Sequence, residues 1–485
     1  MNVLNGLEPQ AVFKYFEEIS GIPHGSSDTK RISDYCVDFA KRHNLNYIQD
    51  SLNNVIIFKD GSAGYENVPP VIIQGHLDMV CEKESGVEID FKSEGLKLAL
   101  NNGVISADGT TLGGDDGIAV AYALAVLESD NIPHPPLEVV FTVDEEIGML
   151  GAAGIDCTPL KSKRMLNIDS EEEGYLLVSC AGGVTAVCHM DCQWETREGI
   201  HADITVSGLL GGHSGVEIDK ERANACKILG RILYGLKSKL SFDILNVNGG
   251  LKDNAIPREA SASLLIDKKD ISNIKDYVKD VSEILSNEYK NTDKDISIEV
   301  KLNEEKTAKV MVGSLKDRII TALVNLPNGI QKMSSDIEGL VQTSLNLGIL
   351  TTSEEEVSMS FSVRSSISTE KDELVARLKC LMEALGGSVT CSGDYPAWEY
   401  MKDSGLRELM LQIYEEQNGR KPIVQAIHAG VECGLFAGKI SGLECVSFGP
   451  DIKDIHTPAE RMDVESVKRT WEYLLEILER LCHNF

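Results

Sequence analysis

Apolar positions follow two different patterns along the chain. Toward both ends, short apolar runs predict buried strands at Val71–Ile73, Leu137–Val143, Met165–Ile168 and Val446–Phe448. Stretches with helical spacing lie between these runs, for example the apolar segment Gly117–Ser129. Strands that alternate with helices are typical of a mostly parallel sheet covered by helices, so these parts of the chain are expected to form an α/β domain.

The middle of the chain has the second pattern. Within residues 186–391, strands and helices follow the order β-α-β-β-α-β from Ala202 to Val300, and a similar order recurs from Leu315 to Val389. This recurrence predicts an inserted α+β lid domain of two β-α-β-β-α-β-like halves, as an internal duplication would produce. The outer α/β domain would then comprise residues 1–185 plus 392–485.

Charge and cysteine content narrow the possible roles. The chain has 47 basic and 76 acidic residues, a net charge of −29, which repels phosphate backbones and anionic lipids. A nucleic-acid or membrane partner is therefore not expected, and no apolar run is long enough to span a bilayer. The twelve cysteines form no C-x-x-C pair and predict reduced thiols in a cytoplasmic protein.

Polar residues follow several of the predicted strands, and carboxyl ends of parallel strands share one edge of a sheet. His76 and Asp78 come directly after Val71–Ile73, and in an extended chain their side chains point the same way. Asp78 could therefore hold the second nitrogen of a metal-bound His76. Taken alone, the pair is also compatible with a solvated strand end.

Two acidic segments have similar positions. Asp115 lies in a glycine-rich turn before the apolar helix, where it could also be a simple N-cap. Asp144, Glu145 and Glu146 close the strand Leu137–Val143, and three adjacent acids repel one another unless a cation or protons compensate. An exposed acidic turn is the alternative. In the functional interpretation, one carboxylate binds metal and its neighbour stays free as a base.

Two more candidates complete a set of metal ligands. Asp169 ends the strand Met165–Ile168, and His456 follows the strand at Val446. Two imidazoles and three carboxylates suit a two-metal site with one bridging carboxylate, with zinc as the expected metal and manganese or cobalt as substitutes. Paired metals of this kind are a recurring device for hydrolysis. The full set is His76, Asp115, Glu146, Asp169 and His456.

These motifs resemble a known family. G-H-x-D, G-x-D-x-G, D-E-E-I-G, N-x-D and I-H-T-P occur in the order found in the di-zinc peptidases related to aminoacylase and carboxypeptidase G. Longer stretches resemble the aminoacyl-histidine dipeptidase branch, which cleaves Xaa-His dipeptides such as carnosine. These stretches are Gln74–Lys83, Thr110–Ala119, Leu166–Gly174, Gly211–Gly215, Asn254–Pro257 and His428–Phe436.

The resemblance implies how the ligands divide between two zinc ions. One ion would be held by His76 and Asp169, and the other by Glu146 and His456. Asp115 would bridge the two ions.

The resemblance also implies the supporting roles. Asp78 would orient His76. Glu145 would be the general base that takes a proton from a zinc-bridging water, which becomes the attacking hydroxide, and later hands the proton to the leaving amine. The family further implies a cis peptide bond between Asp115 and Asp116.

Three residues of the lid are candidates for binding substrate. The resemblance implies that His213 stabilises the oxyanion and that Asn254 lies near the substrate. Arg364 has support from the pattern itself, because apolar residues alternate along Val357–Val363 and leave Arg364 on a serine-rich face. It could hold a substrate carboxylate in two hydrogen bonds, which would favour dipeptides. A surface salt bridge is the alternative.

The predicted function is metal-dependent hydrolysis of dipeptides, with a preference for Xaa-His. A tripeptide aminopeptidase and an N-acyl amino acid deacylase remain alternatives, as does a non-catalytic metal or peptide binder, although Glu145 speaks against a binder. The protein is expected to be a monomer or a homodimer. Because the lid contains both halves, His213 and Arg364 are expected to serve the zinc site of their own chain. No definite role is assigned to His428 or Glu432.

Overall fold

A computed structural model describes residues 3–483 of the chain. The chain forms two compact units. The first consists of Met1–Ser179, Tyr400–Ala426 and Val431–Phe485, and the second consists of Cys180–Glu399 with the short segment Ile427–Gly430. Among the described residues, no helix combines the length and the apolar character needed to cross a membrane.

Helices and strands alternate along most of the described chain. The α-helices are α1 (Gln10–Ser20), α2 (Lys30–Arg42), α3 (Gly114–Glu128), α4 (Leu150–Gly154), α5 (Ala225–Leu236), α6 (Ile271–Glu288), α7 (Gly313–Asn325), α8 (Ser368–Ala384), α9 (Gly405–Asn418), α10 (Glu432–Lys439) and α11 (Val464–His483). The strands are β1 (Asn46–Gln49), β2 (Val55–Lys59), β3 (Val71–His76), β4 (Leu98–Asn101), β5 (Val104–Ala107), β6 (Leu137–Thr142), β7 (Arg164–Asn167), β8 (Tyr175–Cys180), β9 (Gly182–Asp191), β10 (Trp194–Ser207), β11 (Gly212–His213), β12 (Phe242–Gly249), β13 (Ala255–Ile256), β14 (Ala260–Ile266), β15 (Ser297–Met311), β16 (Gly329–Met333), β17 (Val341–Thr352), β18 (Glu356–Ser365), β19 (Ser388–Tyr395), β20 (Ile423–Ile427), β21 (Glu444–Ser447), β22 (Ile452–Lys453) and β23 (Arg461–Asp463).

The main sheet of the first unit has eight strands in the order β1-β2-β6-β3-β7-β21-β8-β20. Its four central strands, β6, β3, β7 and β21, are parallel, and β1, β2 and β8 pair antiparallel beside them. Every residue of β3 and β6 is buried, which explains why both strands are mostly apolar and show no alternation of apolar and polar residues. The predicted α/β fold is confirmed, with the parallel part limited to the centre of the sheet.

The register of the parallel strands fixes where the site can form. His76 at the end of β3 lies beside Thr142 at the end of β6, and Gln74 lies beside Asn167 at the end of β7. The loops that follow these strands therefore leave the sheet at the same edge. Helix α3 is buried from Gly114 to Leu127, and its backbone becomes regularly helical only after Asp116, as the apolar stretch from Gly117 predicts.

The second unit contains a nine-stranded sheet with the order β15-β10-β14-β12-β17-β18-β9-β19, and β16 pairs with β17. One half of this sheet is built from β10-α5-β12-β14-α6-β15 and the other from β9, α7, β17-β18-α8-β19. The two halves have the same spatial order of strands. In the sequence, the whole first half is inserted between β9 and α7, which are the first two elements of the second half. The sequence pattern of the second half therefore starts with helix α7, and its first strand is found earlier in the chain.

Candidate metal centre

The first group of site residues lies at the end of β3. The imidazole of His76 is buried, and its Nε2 lies 3.1 Å from Asp115 Oδ1 and 3.6 Å from Asp169 Oδ1. Possible ligand atoms of His76, Asp116 and Asp169 lie within 4.8 Å of one another. The ends of β3 and β7 and the start of α3 thus bring together one imidazole and three carboxylates.

The second group lies around His456, in the loop between β22 and β23. His456 Nε2 lies 3.0 Å from Glu146 Oε1 and 3.2 Å from Asp115 Oδ2, although 341 residues separate His456 from Asp115. Asp115 therefore turns one oxygen toward each histidine, which is the arrangement that a bridging carboxylate needs. The φ angle of His456 is 61°, in the left-handed region that residues with side chains adopt infrequently.

The donor atoms of the two groups fit a pair of divalent cations. Imidazole nitrogens and carboxylate oxygens are ligands that zinc accepts, and manganese and cobalt accept them too. Among the described residues, Asp115, Glu146 and Asp169 form ion pairs with histidines and with no lysine or arginine. Burial and the nearby Asp116 raise the pKa of Asp169 well above its usual range. A bound cation would offset the free-energy cost of ionising Asp169 in this buried position.

Asp78 makes contacts with residues of both groups. Its carbonyl oxygen lies 2.9 Å from His76 Nδ1, whereas its carboxylate lies 3.6 Å from the same nitrogen. The carboxylate accepts the backbone N–H of Glu145 at 3.0 Å and the hydroxyl of Ser26 at 2.8 Å. Asp78 therefore orients His76 chiefly through its carbonyl, and its carboxylate fixes the turn that carries Glu145 and Glu146.

Glu145 is placed beside the ligands and has the properties of a base. Possible ligand atoms of His76, Glu145 and Glu146 lie within 4.8 Å of one another. Burial raises the pKa of Glu145 to about 8, against the lowering effect of His76, and the carboxylates of Glu432, Glu146 and Asp115 add to the increase. A carboxylate with a pKa near neutrality is suited to accept and return a proton.

Asp116 is a site residue that the sequence analysis did not single out. Its Oδ2 accepts the backbone N–H of His76 at 3.0 Å. A Cβ atom at Gly75 would lie 2.6 Å from this oxygen, so the contact requires the glycine of the G-H-x-D motif. The peptide bond between Asp115 and Asp116 is cis, which confirms the feature that the resemblance implies. The two adjacent aspartates, Asp115 and Asp116, were the sequence feature that could have indicated this role.

Glu460 was also missed. Its buried carboxylate accepts the backbone N–H groups of Leu112, Gly113 and Gly114 at 2.7, 3.1 and 2.8 Å, and that of Asp115 at 3.4 Å. It thereby ties the loop that carries His456 to the turn that carries the bridging carboxylate. Its position four residues after His456 was the only hint in the sequence.

The second unit contains the predicted substrate residue Arg364, at the end of β18. Its side chain is buried, with 9% of the residue exposed, so it is not a surface salt bridge. Nη1 donates to Tyr395 Oη at 3.0 Å, and Nε has no hydrogen-bond partner among the described residues. Ser344 is the strand neighbour of Arg364, and its hydroxyl lies 2.7 Å from Nε2 of the buried His428. A buried guanidinium with a free donor suits an anionic ligand.

His213 and Asn254 lie together in the same unit. The short strands β11 and β13 pair His213 with Ala255, and Ser214 N–H donates to the carbonyl of Asn254 at 2.9 Å. The backbone N–H groups of Gly215 and Val216 donate to His213 Nδ1. Neutral His213 must therefore carry its proton on Nε2, as a donor. Burial and Arg364 lower the pKa of His213, which favours this neutral form.

Comparison with known proteins identifies the family. A model of the peptidase family M20/M25/M40 matches residues 72–480. The cytosol non-specific dipeptidase of Escherichia coli (strain K12) is 36% identical over 489 residues, which cover 99% of each chain. This chain therefore belongs to the peptidase family M20/M25/M40, and it is a hydrolase.

Solved structures agree with this assignment. The aminoacylhistidine dipeptidase of Vibrio alginolyticus is similar with a TM-score of 0.93 and 35% identity, covering 98% of both chains. The aminopeptidase PepT from Bacillus cereus shares the fold, with a TM-score of 0.57 and 17% identity over 98% of this chain and 99% of that one. The resemblance drawn from the motifs is confirmed.

Proposed function

We propose that this protein is a metal-dependent dipeptidase with a preference for Xaa-His substrates. The observation that carries the proposal is the position of Asp115, whose two oxygens face His76 and His456 separately. His76 and Asp169 would hold one zinc ion and Glu146 and His456 the other, with manganese or cobalt as substitutes.

The chemistry divides between the metal ions and the chain. When bound, paired divalent ions polarise a carbonyl and lower the pKa of a water molecule. Glu145 accepts the proton of the attacking water on its carboxylate and returns it to the nitrogen of the leaving amine. Asp78 holds the backbone of Glu145 for both transfers, through the hydrogen bond from Glu145 N–H.

The preference for dipeptides rests on Arg364 and its surroundings. A buried guanidinium with a free Nε can bind the C-terminal carboxylate of a substrate, and His428 beside it is neutral and adds no competing charge. Asn254 is assigned to the substrate by the family resemblance alone. The names of two relatives, a non-specific dipeptidase and an aminoacylhistidine dipeptidase, support dipeptides as the substrate class. Only the second name supports Xaa-His as the preferred type.

His213 is proposed to stabilise the oxyanion. Two backbone N–H groups occupy its Nδ1, so Nε2–H is available as a donor without a change of protonation. Removing one such donor in well-studied enzymes lowers kcat by about 10²–10³-fold. His213→Ala is therefore expected to lower kcat by this factor while KM changes much less.

A substrate panel tests the function. Zinc-loaded protein is expected to cleave β-Ala-His and Ala-His faster than Ala-Ala, and to cleave Ala-Ala-Ala and N-acetyl-Ala slowly or not at all. Faster cleavage of the tripeptide or of N-acetyl-Ala would favour the corresponding alternative enzyme. Zinc binding without turnover of any dipeptide would favour a binding protein. Glu145→Gln should abolish turnover, and the exposed Glu88→Gln serves as its control.

Two further proposals concern the protein in the cell. We propose a cytoplasmic location, which the name of the Escherichia coli relative supports. We also propose that one chain, as a monomer or within a homodimer, completes its own site. Mixing inactive His213→Ala and Glu145→Ala chains tests this point, because recovered activity would show that chains share their sites.

A further inference from the structure

A layer of four buried polar side chains lies beneath the metal-ligand end of the sheet. Gln74, Thr142, Asn167 and Glu432 are each at most 2% exposed. Glu432 Oε2 accepts hydrogen bonds from Gln74 Nε2 and Thr142 Oγ1, both at 2.6 Å. Gln74 Oε1 in turn accepts the amide of Asn167 at 2.5 Å. One carboxylate, on α10, therefore joins β3 and β6, and through Gln74 it also reaches β7.

Each member of this layer lies close in the chain to a proposed ligand. Gln74 precedes His76 by two residues, and Asn167 precedes Asp169 by two. Thr142 is the strand neighbour of His76 and comes shortly before Glu145 and Glu146. The layer thus fixes the three strand ends from which most of the ligands project.

Stability of the fold does not account for Glu432. Its Oε1 is buried and has no hydrogen-bond partner among the described residues. A buried carboxylate that is only half satisfied costs free energy, and an apolar side chain of similar size is often the more stable choice. Burial also raises the pKa of Glu432 to about 7, another sign that ionising it here is costly. A group of this kind is better explained by what it holds in place.

We propose that Glu432 is a positioning residue for the metal centre. By accepting from Gln74 and Thr142 it sets the ends of β3 and β6 relative to each other, and with them the distance between His76 and Glu146. Replacing a side chain that hydrogen-bonds directly to a metal ligand typically changes metal affinity or activity by about 10–100-fold. Glu432 lies one hydrogen bond further out, so the lower end of this range is expected. The inference rests on the proposed function only in requiring that the centre binds metal.

The test is the affinity of the full chain for zinc, measured by competition with a chelator. Glu432→Leu removes both hydrogen bonds and is expected to weaken zinc binding by about tenfold, the lower end of the range for direct partners of ligands. Glu432→Gln keeps an amide oxygen that can accept from both donors, so its affinity is expected to stay within about threefold of the wild type, a change of only about 0.7 kcal/mol. Dipeptide turnover is measured in parallel, and kcat is expected to fall in Glu432→Leu more than KM rises.

A second pair of variants keeps the shape of the core. Thr142→Val removes the hydroxyl donor and should weaken zinc binding, whereas Thr142→Ser retains the donor and should not. Glu138→Leu is the control, because Glu138 is a buried carboxylate at the opposite end of β6 that accepts backbone N–H groups of Lys161 and Ser162. Thermal unfolding of each metal-free variant shows whether it has folded.

Three results would overturn the inference. The first is that folded Glu432→Leu and Thr142→Val chains match the wild type in zinc affinity. The second is that Glu432→Gln binds zinc as weakly as Glu432→Leu, and the third is that Glu138→Leu weakens zinc binding equally. Failure of the proposed function looks different, because then the wild type itself binds no zinc, or binds it and cleaves no dipeptide.

Discussion

The carboxylate of Glu460 holds the turn that presents Asp115, and replacing it with alanine should lower both stability and metal affinity. Glu460 is 3% exposed, and its carboxylate accepts four backbone N–H groups, three of them within 3.1 Å. Glu460→Ala would leave these donors without an acceptor at the start of α3. The turn should then move, and Asp115 with it.

The magnitude follows from the two shortest bonds, to Leu112 and Gly114 at 2.7 and 2.8 Å. A hydrogen bond to a charged group contributes about 1.5–3 kcal/mol, so their loss is expected to destabilise the first unit by about 3–6 kcal/mol. For a domain of this size, each kcal/mol lowers Tm by about 2–4 °C. The expected decrease is therefore at least about 6 °C.

Two measurements check this expectation. Thermal unfolding of the metal-free protein gives the change in stability, and competition with a chelator gives the zinc affinity, which should fall by about tenfold or more. Glu472→Ala, an exposed position in the middle of α11, is the control and should change stability by less than about 0.5 kcal/mol. If Glu460→Ala unfolds like this control and binds zinc like the wild type, the carboxylate does not hold the turn.

Three other predictions follow from the same structure. Removing metal with a chelator should lower Tm, and added zinc should restore it, because a ligand at 100 times its Kd adds about 2.7 kcal/mol to the free energy of unfolding. If calorimetry shows no shift in Tm, the protein does not bind metal in its folded state. Burial, with Arg364 and His213, lowers the pKa of His428 to about 3, so only the unfolded chain is protonated there below pH 6.5. Stability should therefore fall as the pH drops from about 6.5 toward 3, and unfolding followed against pH should show a shallower slope in His428→Asn. Arg364→Met should raise KM about 10–100-fold for a dipeptide but hardly at all for its C-terminal amide, and an equal effect on both substrates would rule out carboxylate binding.

Much of the site could be predicted because its residues follow strands. The apolar runs that end at His76, Glu145 and Asp169 are buried parallel strands, and the rules of parallel sheets place their carboxyl ends together. Short, local patterns of this kind are readable in a single sequence. The family resemblance added the cis peptide bond, which the structure contains, and a pairing of ligands that stays a prediction.

The supporting carboxylates could not be predicted in the same way. Glu460 acts on residues about 346 positions earlier, and Glu432 lies 358 positions from Gln74. No periodic pattern records such contacts, because they depend on how α10 and the loop before β23 pack against distant strands. The second half of the nine-stranded sheet was similarly obscured, since its first strand, β9, precedes the whole first half in the chain.

The position of β21 in the sheet has a consequence for how the protein is made. This strand pairs parallel with β7, yet it is synthesised after the entire second unit, and His456 follows it. A nascent chain that already contains Asp115, Glu146 and Asp169 still lacks a central strand and one of its two imidazole donors. The proposed bridged centre therefore could not assemble during synthesis of the first unit's early segments. Binding of two ions there would require that translation has passed β21 and that this strand has paired with β7.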